Sequence, residues 1–441
     1  MRLCDLTLAY TDTSGGIRTY IDHKRRHIAE HTEHEHVLII PGECDRATRD
    51  GRLTRIEIQS PMIPGCRPYR FFWQPAKVRK ALAGSAPDIV ELGSFFVSPW
   101  AAFRYRDECS RAARRCLVSA YFHTDVAEAY VGAPLRHFLA DGIEEISDTL
   151  ASWGQRLSDA IESGAEASFG QIFRRCDLTF AATEAQATRI REYGVEGTHV
   201  VPLGVDLERF HPQRRSSAWR QRHGIGDGDV LLIYCGRLDT EKAVPVLVDA
   251  FERLVSAGDD ADRYHLMLLG EGPLRDQLAE RAGTLPRLHL MGYETDRAAY
   301  ATALACADVY VTAGPHETFG LSVVEAQASG LPVVGVDAGA LRERVSAGLG
   351  RLGPAGDAAA FADNIRAVTP QRQTMGAAAR EHVLAAGYGW DQTFARLLDT
   401  YGRALAGPAG DDADASALSA TAANGARADG RIQAPEDGAP G

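Results

Sequence analysis

The stretch VYVTAGPHETFGLSVVEAQASGLPVVGVDAG, residues 309–339, decides the fold. It reads as strand, loop, helix, turn and strand, the repeating unit of a parallel sheet with covered faces. Glu317 falls in the loop just past the C-terminal end of a strand, where open α/β sheets put their ligands. Phe319, Gly320, Leu321 and Ser322 then open a helix. Its free backbone N–H groups and positive dipole end make an anion site, and Gly320 lets a phosphate approach closely. Glu325, eight residues after Glu317, is expected about two turns into the helix, within reach of a second part of the same ligand.

Working outward, YCGRLDTEK at 234–242 is another strand running into a loop and a following helix. Gly236 permits the turn, Arg237 offers a planar fork of donors and Lys242 adds a point charge, a pairing suited to a diphosphate. Around these clusters, short apolar runs alternate with helical patterns. In the first half the runs are LTLAY (6–10), HVLII (36–40), DIVEL (88–92), CLVSAYF (116–122) and LTFAAT (178–183). In the second half they are VLLIYCG (230–236), YHLMLLG (264–270), LHLMG (288–292), VYVTAG (309–314) and PVVGV (332–336). The expected class is therefore α/β with two Rossmann-like domains facing each other across a cleft. The boundaries read as 1–205, 206–386, an amphipathic helix at 387–406 packing back on the first domain, and a disordered tail at 407–441 without apolar periodicity. The helical stretch 132–173 exceeds what a plain crossover needs and reads as a lid, an acceptor-binding insertion or a long crossover helix.

Composition narrows the function. A chain of 441 residues is too long for one ordinary core. Its formal charge of −11 argues against nucleic-acid binding, which needs a dense basic surface. The eight cysteines show no C-x-x-C pair or zinc spacing and read as reduced thiols of a cytoplasmic protein. The N-terminus reads as a first strand rather than a signal peptide, and no segment approaches the roughly 20 apolar residues of a membrane-spanning helix.

Together the two clusters resemble glycosyltransferase family 4, whose fold is named GT-B. The G-R-x-x-x-x-K motif is matched by Gly236, Arg237 and Lys242, and the E-x7-E motif by Glu317 and Glu325, with F-G-L at 319–321 and G-x-P-V at 330–333. In the first half SGGIR (14–18), His123-Thr124-Asp125 and PLGVDLERFHP (202–212) are also similar to the family. The resemblance implies a retaining hexosyltransferase using a nucleotide sugar, without a metal or other cofactor. By the same implication Arg237 and Lys242 bind the diphosphate and stabilise the leaving group. Glu325 meets the ribose, Glu317 the transferred sugar, and the amides of Phe319, Gly320 and Leu321 the sugar and phosphate oxygens. Gly16 lets the N-terminal loop close on the donor, and His123 contacts the sugar near the reacting carbon.

Two departures stand out: Gly314-Pro315-His316 replaces the family's usual Pro-Ser before the first glutamate, and Gly339-Ala340 replaces Gly-Gly. The first bears on which hexose is held, with GDP-mannose and UDP-glucose the leading donors, and the second on close backbone approach. A glycoside hydrolase would place Glu317 and Glu325 about 5–9 Å apart across one bond, but has no need of two cations and a phosphate cradle. A nicotinamide dehydrogenase lacks its third glycine here, since Gly270-Glu271-Gly272-Pro273-Leu274-Arg275 reads as a turn after a strand. A catalytically silent binding subunit remains an alternative. The acceptor is expected to be a lipid or saccharide of envelope glycolipid or polysaccharide synthesis. RPYRFFWQPAKVRK (67–80) and RYRDECSRAARR (104–115) mix bases with aromatics, as peripheral contact with the inner membrane surface would require, although charged crossover helices look the same.

Overall fold

The structure is a computed structural model that describes residues 1–11, 15–63, 69–95, 98–123, 167–256 and 261–407. Ser14, Thr124 and Asp125 of the motifs above, most of the 132–173 stretch and the tail beyond Gly407 lie outside the described residues.

The first sheet contains β1 (Arg2–Leu6), β2 (Glu35–Gly42), β3 (Arg46–Asp50), β4 (Leu53–Gln59), β5 (Ile89–Leu92), β6 (Leu117–Phe122), β7 (Leu178–Ala181) and β8 (His199–Val200). Their order is β3-β4-β2-β1-β5-β6-β7-β8, parallel except for the β3–β4 hairpin. Alternation along β2 shows how both faces are filled. Val37 and Ile39 point to a core with Val78, Leu82, Phe103 and Phe173. Leu38 and Ile40 point the other way, to Tyr20, Ile28, Phe394 and Leu397.

The second sheet contains β9 (Val230–Cys235), β10 (Tyr264–Leu269), β11 (Leu288–Met291), β12 (Val309–Val311), β13 (Val333–Val336) and β14 (Gly350–Gly353), in the order β11-β10-β9-β12-β13-β14 and parallel throughout. Helix Val244–Ser256 follows β9 and buries Val244, Leu247, Val248, Phe251 and Leu254, a spacing that puts them on one helical stripe. Two parallel sheets covered by helices make this a GT-B architecture.

The expected strand LTLAY lies too late: β1 is Arg2–Leu6, and Leu8 is already in a loop where its N–H meets Ser94 Oγ at 2.8 Å. Arg2 and Asp5 conceal β1 from a hydrophobic pattern because Asp5 is a buried charge. Its carboxylate accepts from Lys24 Nζ at 2.6 Å and lies 2.8 Å from His36 Nε2. Lys24, 1% exposed, also lies 2.9 Å from Glu91. Burial opposes the Lys24 charge, yet Asp5 and Glu91 together hold its pKa above the usual lysine range.

This buried cluster fastens the C-terminal helix, Trp390–Ala406, to the first sheet. Tyr401 donates to Glu91 at 2.6 Å and lies 2.9 Å from Ser119 Oγ. The chain leaves the first sheet near Val205 and returns near Tyr388, and the crossings run side by side, with Val205 N–H donating to Tyr388 O at 2.8 Å. A Cβ on Gly204 would lie 2.5 Å from the Trp390 backbone, so glycine is what permits that approach. Among the described residues no helix is long and apolar enough to cross a membrane, and Cys4, Cys44, Cys109, Cys116, Cys176, Cys235 and Cys306 are free thiols.

Candidate functional site

In the second sheet the chain runs from β9 outward to β11, then returns to place β12 on the other side of β9. The β9/β12 boundary is thus the topological switch point, the crevice at which open α/β sheets bind ligands. The loop after β9 carries Arg237 and Lys242, and the loop after β12 carries Glu317, so two motifs far apart in sequence converge. Lys242 Nζ donates to Glu317 Oε1 at 2.8 Å. Burial would pull the Lys242 ammonium down, but Glu317 and then Glu241 more than offset it, so the charge is held.

Each side of this cradle has a local reason for its shape. Asp239 caps the short turn Thr240–Lys242 by accepting from Glu241 N–H, which sets Lys242 facing back toward β12. A Cβ on Gly236 would sit 2.7 Å from the Tyr234 hydroxyl, which donates to Arg237 O at 2.9 Å. Gly270 and Gly272 serve close backbone packing: a Cβ on Gly272 would lie 2.3 Å from Leu238 O, and Leu238 N–H donates to Glu271 O at 2.9 Å. Arg237 is the least committed member. Its side chain is 57% exposed and lies 2.7 Å from Glu241 and 3.3 Å from Asp239.

The helix after β12 spans Leu321–Ala328, with Gly320 as its left-handed N-cap at φ 74° and no side chain capping it. Its leading N–H groups are therefore available to an anion. Glu325 lies about one turn into this helix rather than two, because the loop lasts through Gly320. At 4% exposure its carboxylate accepts from Arg297 at 2.5 Å and from Tyr300 at 2.8 Å. Glu317 and Glu325 thus have separate cation partners, Lys242 and Arg297. Phe319 is buried at 3%.

At Gly339-Ala340 the first glycine packs closely on the loop that carries Glu317. Gly339 has φ +53°, and a Cβ there would lie 2.7 Å from Glu317 O and 2.8 Å from Pro315 O. Ala340 has an ordinary helical backbone, and its N–H donates to Glu317 O at 2.8 Å. Only the first glycine is required by sterics.

His123 comes to the same place from the other sheet. Thr318 Oγ1, next to Glu317, donates to the His123 carbonyl at 3.0 Å across the cleft. The imidazole stacks on Tyr121 at 4.3 Å and tilts against Tyr20 at 4.7 Å. Burial, reinforced by the Lys24 charge, pushes its pKa down to about 3, so it is neutral at physiological pH. Its Nδ1 has no hydrogen-bond partner among the described residues. Gly16 is the first residue of helix Gly16–His31, and open space lies where its Cβ would be.

Arg297, Tyr300 and Arg344 escaped the sequence reading. Arg344 is 3% exposed, sits 4.2 Å over the Phe319 ring and donates from Nε to Phe319 O at 3.2 Å and from a terminal nitrogen to Tyr388 OH at 2.6 Å. Its other terminal nitrogen has no partner among the described residues. No spacing marks these residues, since each acts through a contact with a distant segment.

A two-sheet GT-B fold with cations and carboxylates meeting at the switch point of the second sheet defines a nucleotide-sugar transferase. Residues 14–209 match the model of Glycosyltransferase Family 4, and residues 229–369 that of Glycosyl transferases group 1. The chain belongs to the family 4 glycosyltransferases. It is 32% identical to a GDP-mannose-dependent alpha-(1-6)-phosphatidylinositol dimannoside mannosyltransferase of Mycobacterium tuberculosis, over 91% of this chain and 96% of that one. It is 30% identical to a GDP-mannose-dependent alpha-mannosyltransferase of the same species, over 88% of this chain and 92% of the relative. Among solved structures, sucrose-phosphate synthase from Thermosynechococcus elongatus superposes with a TM-score of 0.69 at 17% identity, covering 92% of this chain and 99% of that one.

Proposed function

We propose that this glycosyltransferase moves mannose from GDP-mannose, with retention and without a metal ion in the reaction, to a lipid or saccharide acceptor of envelope assembly. GDP-mannose ranks ahead of UDP-glucose because two relatives that align over most of the chain depend on it. The observation that carries the mechanism is the 2.8 Å Lys242–Glu317 contact at the β9/β12 crevice, with His123 bonded to the adjoining Thr318 from the opposite domain.

In this reading the diphosphate lies on the N-terminal end of helix Leu321–Ala328, held by Arg237, Lys242 and the amides from Phe319 to Leu321. Glu317 holds the sugar hydroxyls and Glu325 the ribose, with Gly16 leaving room for the N-terminal loop to close. The bond between the anomeric carbon and the diphosphate breaks as the acceptor oxygen bonds on the same face. The acceptor proton passes to the departing phosphate oxygen. Lys242 and Arg237 stabilise that oxygen's growing charge, the role a metal fills elsewhere. Neutral His123 offers its unpartnered Nδ1 to a hydroxyl of the sugar.

A lipid acceptor at an anionic cytoplasmic membrane surface is supported by Trp73 and Trp100, 55% and 42% exposed near the starts of the adjoining helices Pro75–Ser85 and Ser98–Arg111. The Arg175 guanidinium lies 5.2 Å over the Trp100 ring. Amphipathic aromatics beside cations suit a headgroup layer. The deciding experiment is a donor screen for nucleoside diphosphate release from GDP-mannose, UDP-glucose, UDP-galactose and UDP-N-acetylglucosamine, with EDTA present. Turnover of GDP-mannose alone, lost in Glu317→Ala and Arg237→Ala, is expected. Preference for a uridine donor, or dependence on an added divalent ion, would overturn the respective part of the proposal.

A further inference from the structure

We propose that His27, His31 and Asp391 bind one divalent transition-metal ion, of the zinc, cobalt or nickel type, at the joint between the first helix and the C-terminal helix. The two histidines are four residues apart on helix Gly16–His31 and therefore share one face. Asp391 lies in the first turn of helix Trp390–Ala406. Their candidate donor atoms all lie within 4.8 Å of one another. His27 Nδ1 is 2.9 Å from Asp391 Oδ1, and the two imidazole rings are 5.1 Å apart.

Tetrahedral ligands bound at about 2.0–2.1 Å lie about 3.3 Å from one another. The His27–Asp391 spacing is already near this value. Closing the remainder requires only side-chain rotation by His31 and Asp391, whose side chains are 55% and 73% exposed. Two imidazoles and one carboxylate suit a borderline transition ion, whereas calcium and magnesium demand oxygen ligands. Water completes the coordination. By contrast, the His265–His289 pair has no common focus: His265 directs Nδ1 at His289 and Nε2 at Asp229.

The joint that such an ion spans is otherwise aromatic. His23 stacks on Trp390 at 4.8 Å, and Phe394 packs against Tyr20 at 5.6 Å and His27 at 5.5 Å. An ion bound here joins the helix that starts beside the candidate donor loop to the helix that returns from the donor domain. Its role is to stabilise the folded chain, separate from the transfer chemistry at Lys242 and Glu317. Binding to the folded state alone raises stability by mass action.

The test uses the full chain, purified without an affinity tag. Calorimetric titration with zinc chloride is paired with visible absorption of the Co(II) form, in wild type, His31→Ala and Asp391→Asn. Both substitutions are at exposed positions, and circular dichroism checks that each variant folds. We expect one ion per chain at micromolar affinity or tighter, at least tenfold weaker in both variants, and a zinc-induced Tm rise of about 2–4 °C confined to wild type. Absence of stoichiometric binding in wild type, or undiminished binding in either variant, overturns the proposal.

Discussion

Replacing Lys242 by methionine keeps the stem and removes the ammonium from the cradle. Among the side chains there, Arg237 and Lys242 stand against Asp239, Glu241 and Glu317, two cations against three carboxylates. The substitution leaves one against three just where a diphosphate must dock. An ammonium about 4 Å from a phosphate oxygen at an effective dielectric constant near 20 contributes about 4 kcal/mol. Removal of one preorganised charge-stabilising donor from an active site costs about 10²–10³ in rate. These agree, so we expect kcat/KM for sugar transfer to fall about 10²–10³-fold, with Lys242→Arg partly restoring it. Stability should fall by about 1–3 kcal/mol, because Glu317, with a side chain only 18% exposed, loses its ammonium partner and keeps limited access to water. Continuous assay of nucleoside diphosphate release, beside thermal unfolding, separates the two effects. A folded Lys242→Met variant within tenfold of wild-type kcat/KM would falsify the role assigned to this charge.

Three further outcomes follow from the same geometry. Tyr401→Phe deletes the bonds to Glu91 and Ser119 under the C-terminal helix, and should cost about 1.5–3 kcal/mol in urea unfolding, because a buried carboxylate loses a donor. Unchanged stability would mean that this contact does not hold the helix down. Gly339→Ala should impose about 1–2 kcal/mol of left-handed backbone strain and push its Cβ against Glu317 O, so transfer activity should fall alongside the Tm. Wild-type behaviour in both would exclude that tight approach. His123 is held near a pKa of 3 against an ordinary 6.5, so above pH 6.5 both folded and unfolded states leave it neutral. As pH falls from 6.5 toward 3 the unfolded chain takes a proton that the folded one refuses, and stability drops by about 1 kcal/mol per pH unit, allowing for partial solvent access. Tm measured against pH should therefore decline less steeply in His123→Gln, and parallel curves would rule out this source.

The fold was legible because inner strands such as β2, β5, β6, β9, β10, β12 and β13 are largely apolar runs buried on both faces, and such runs need no partner to be seen. β3, all five of whose residues are exposed, carries no such signal. β1 is masked because Asp5 interrupts its apolar run, and nothing local discloses that Lys24 and His36 meet that buried carboxylate. In the site, Gly236, Arg237, Lys242, Glu317 and Glu325 announce themselves by spacing within a loop or across a loop and helix.

Their grouping is a different matter. The order of β9 and β12, set by where each apolar strand finds a neighbour, puts Lys242 beside Glu317 although 75 residues separate them. Packing alone brings Arg297 and Tyr300 to Glu325, Arg344 over Phe319, and His123 to Thr318. Local patterning is enough for the two parallel-sheet domains and the residue types of the candidate cradle, since hydrophobic periodicity and glycine-bearing loops act over a few residues. Which charges pair, which histidine is kept neutral and which glycine must remain one are set by the folded chain. Those outcomes depend on distances and desolvation between segments remote along the chain, and neither is encoded in local spacing.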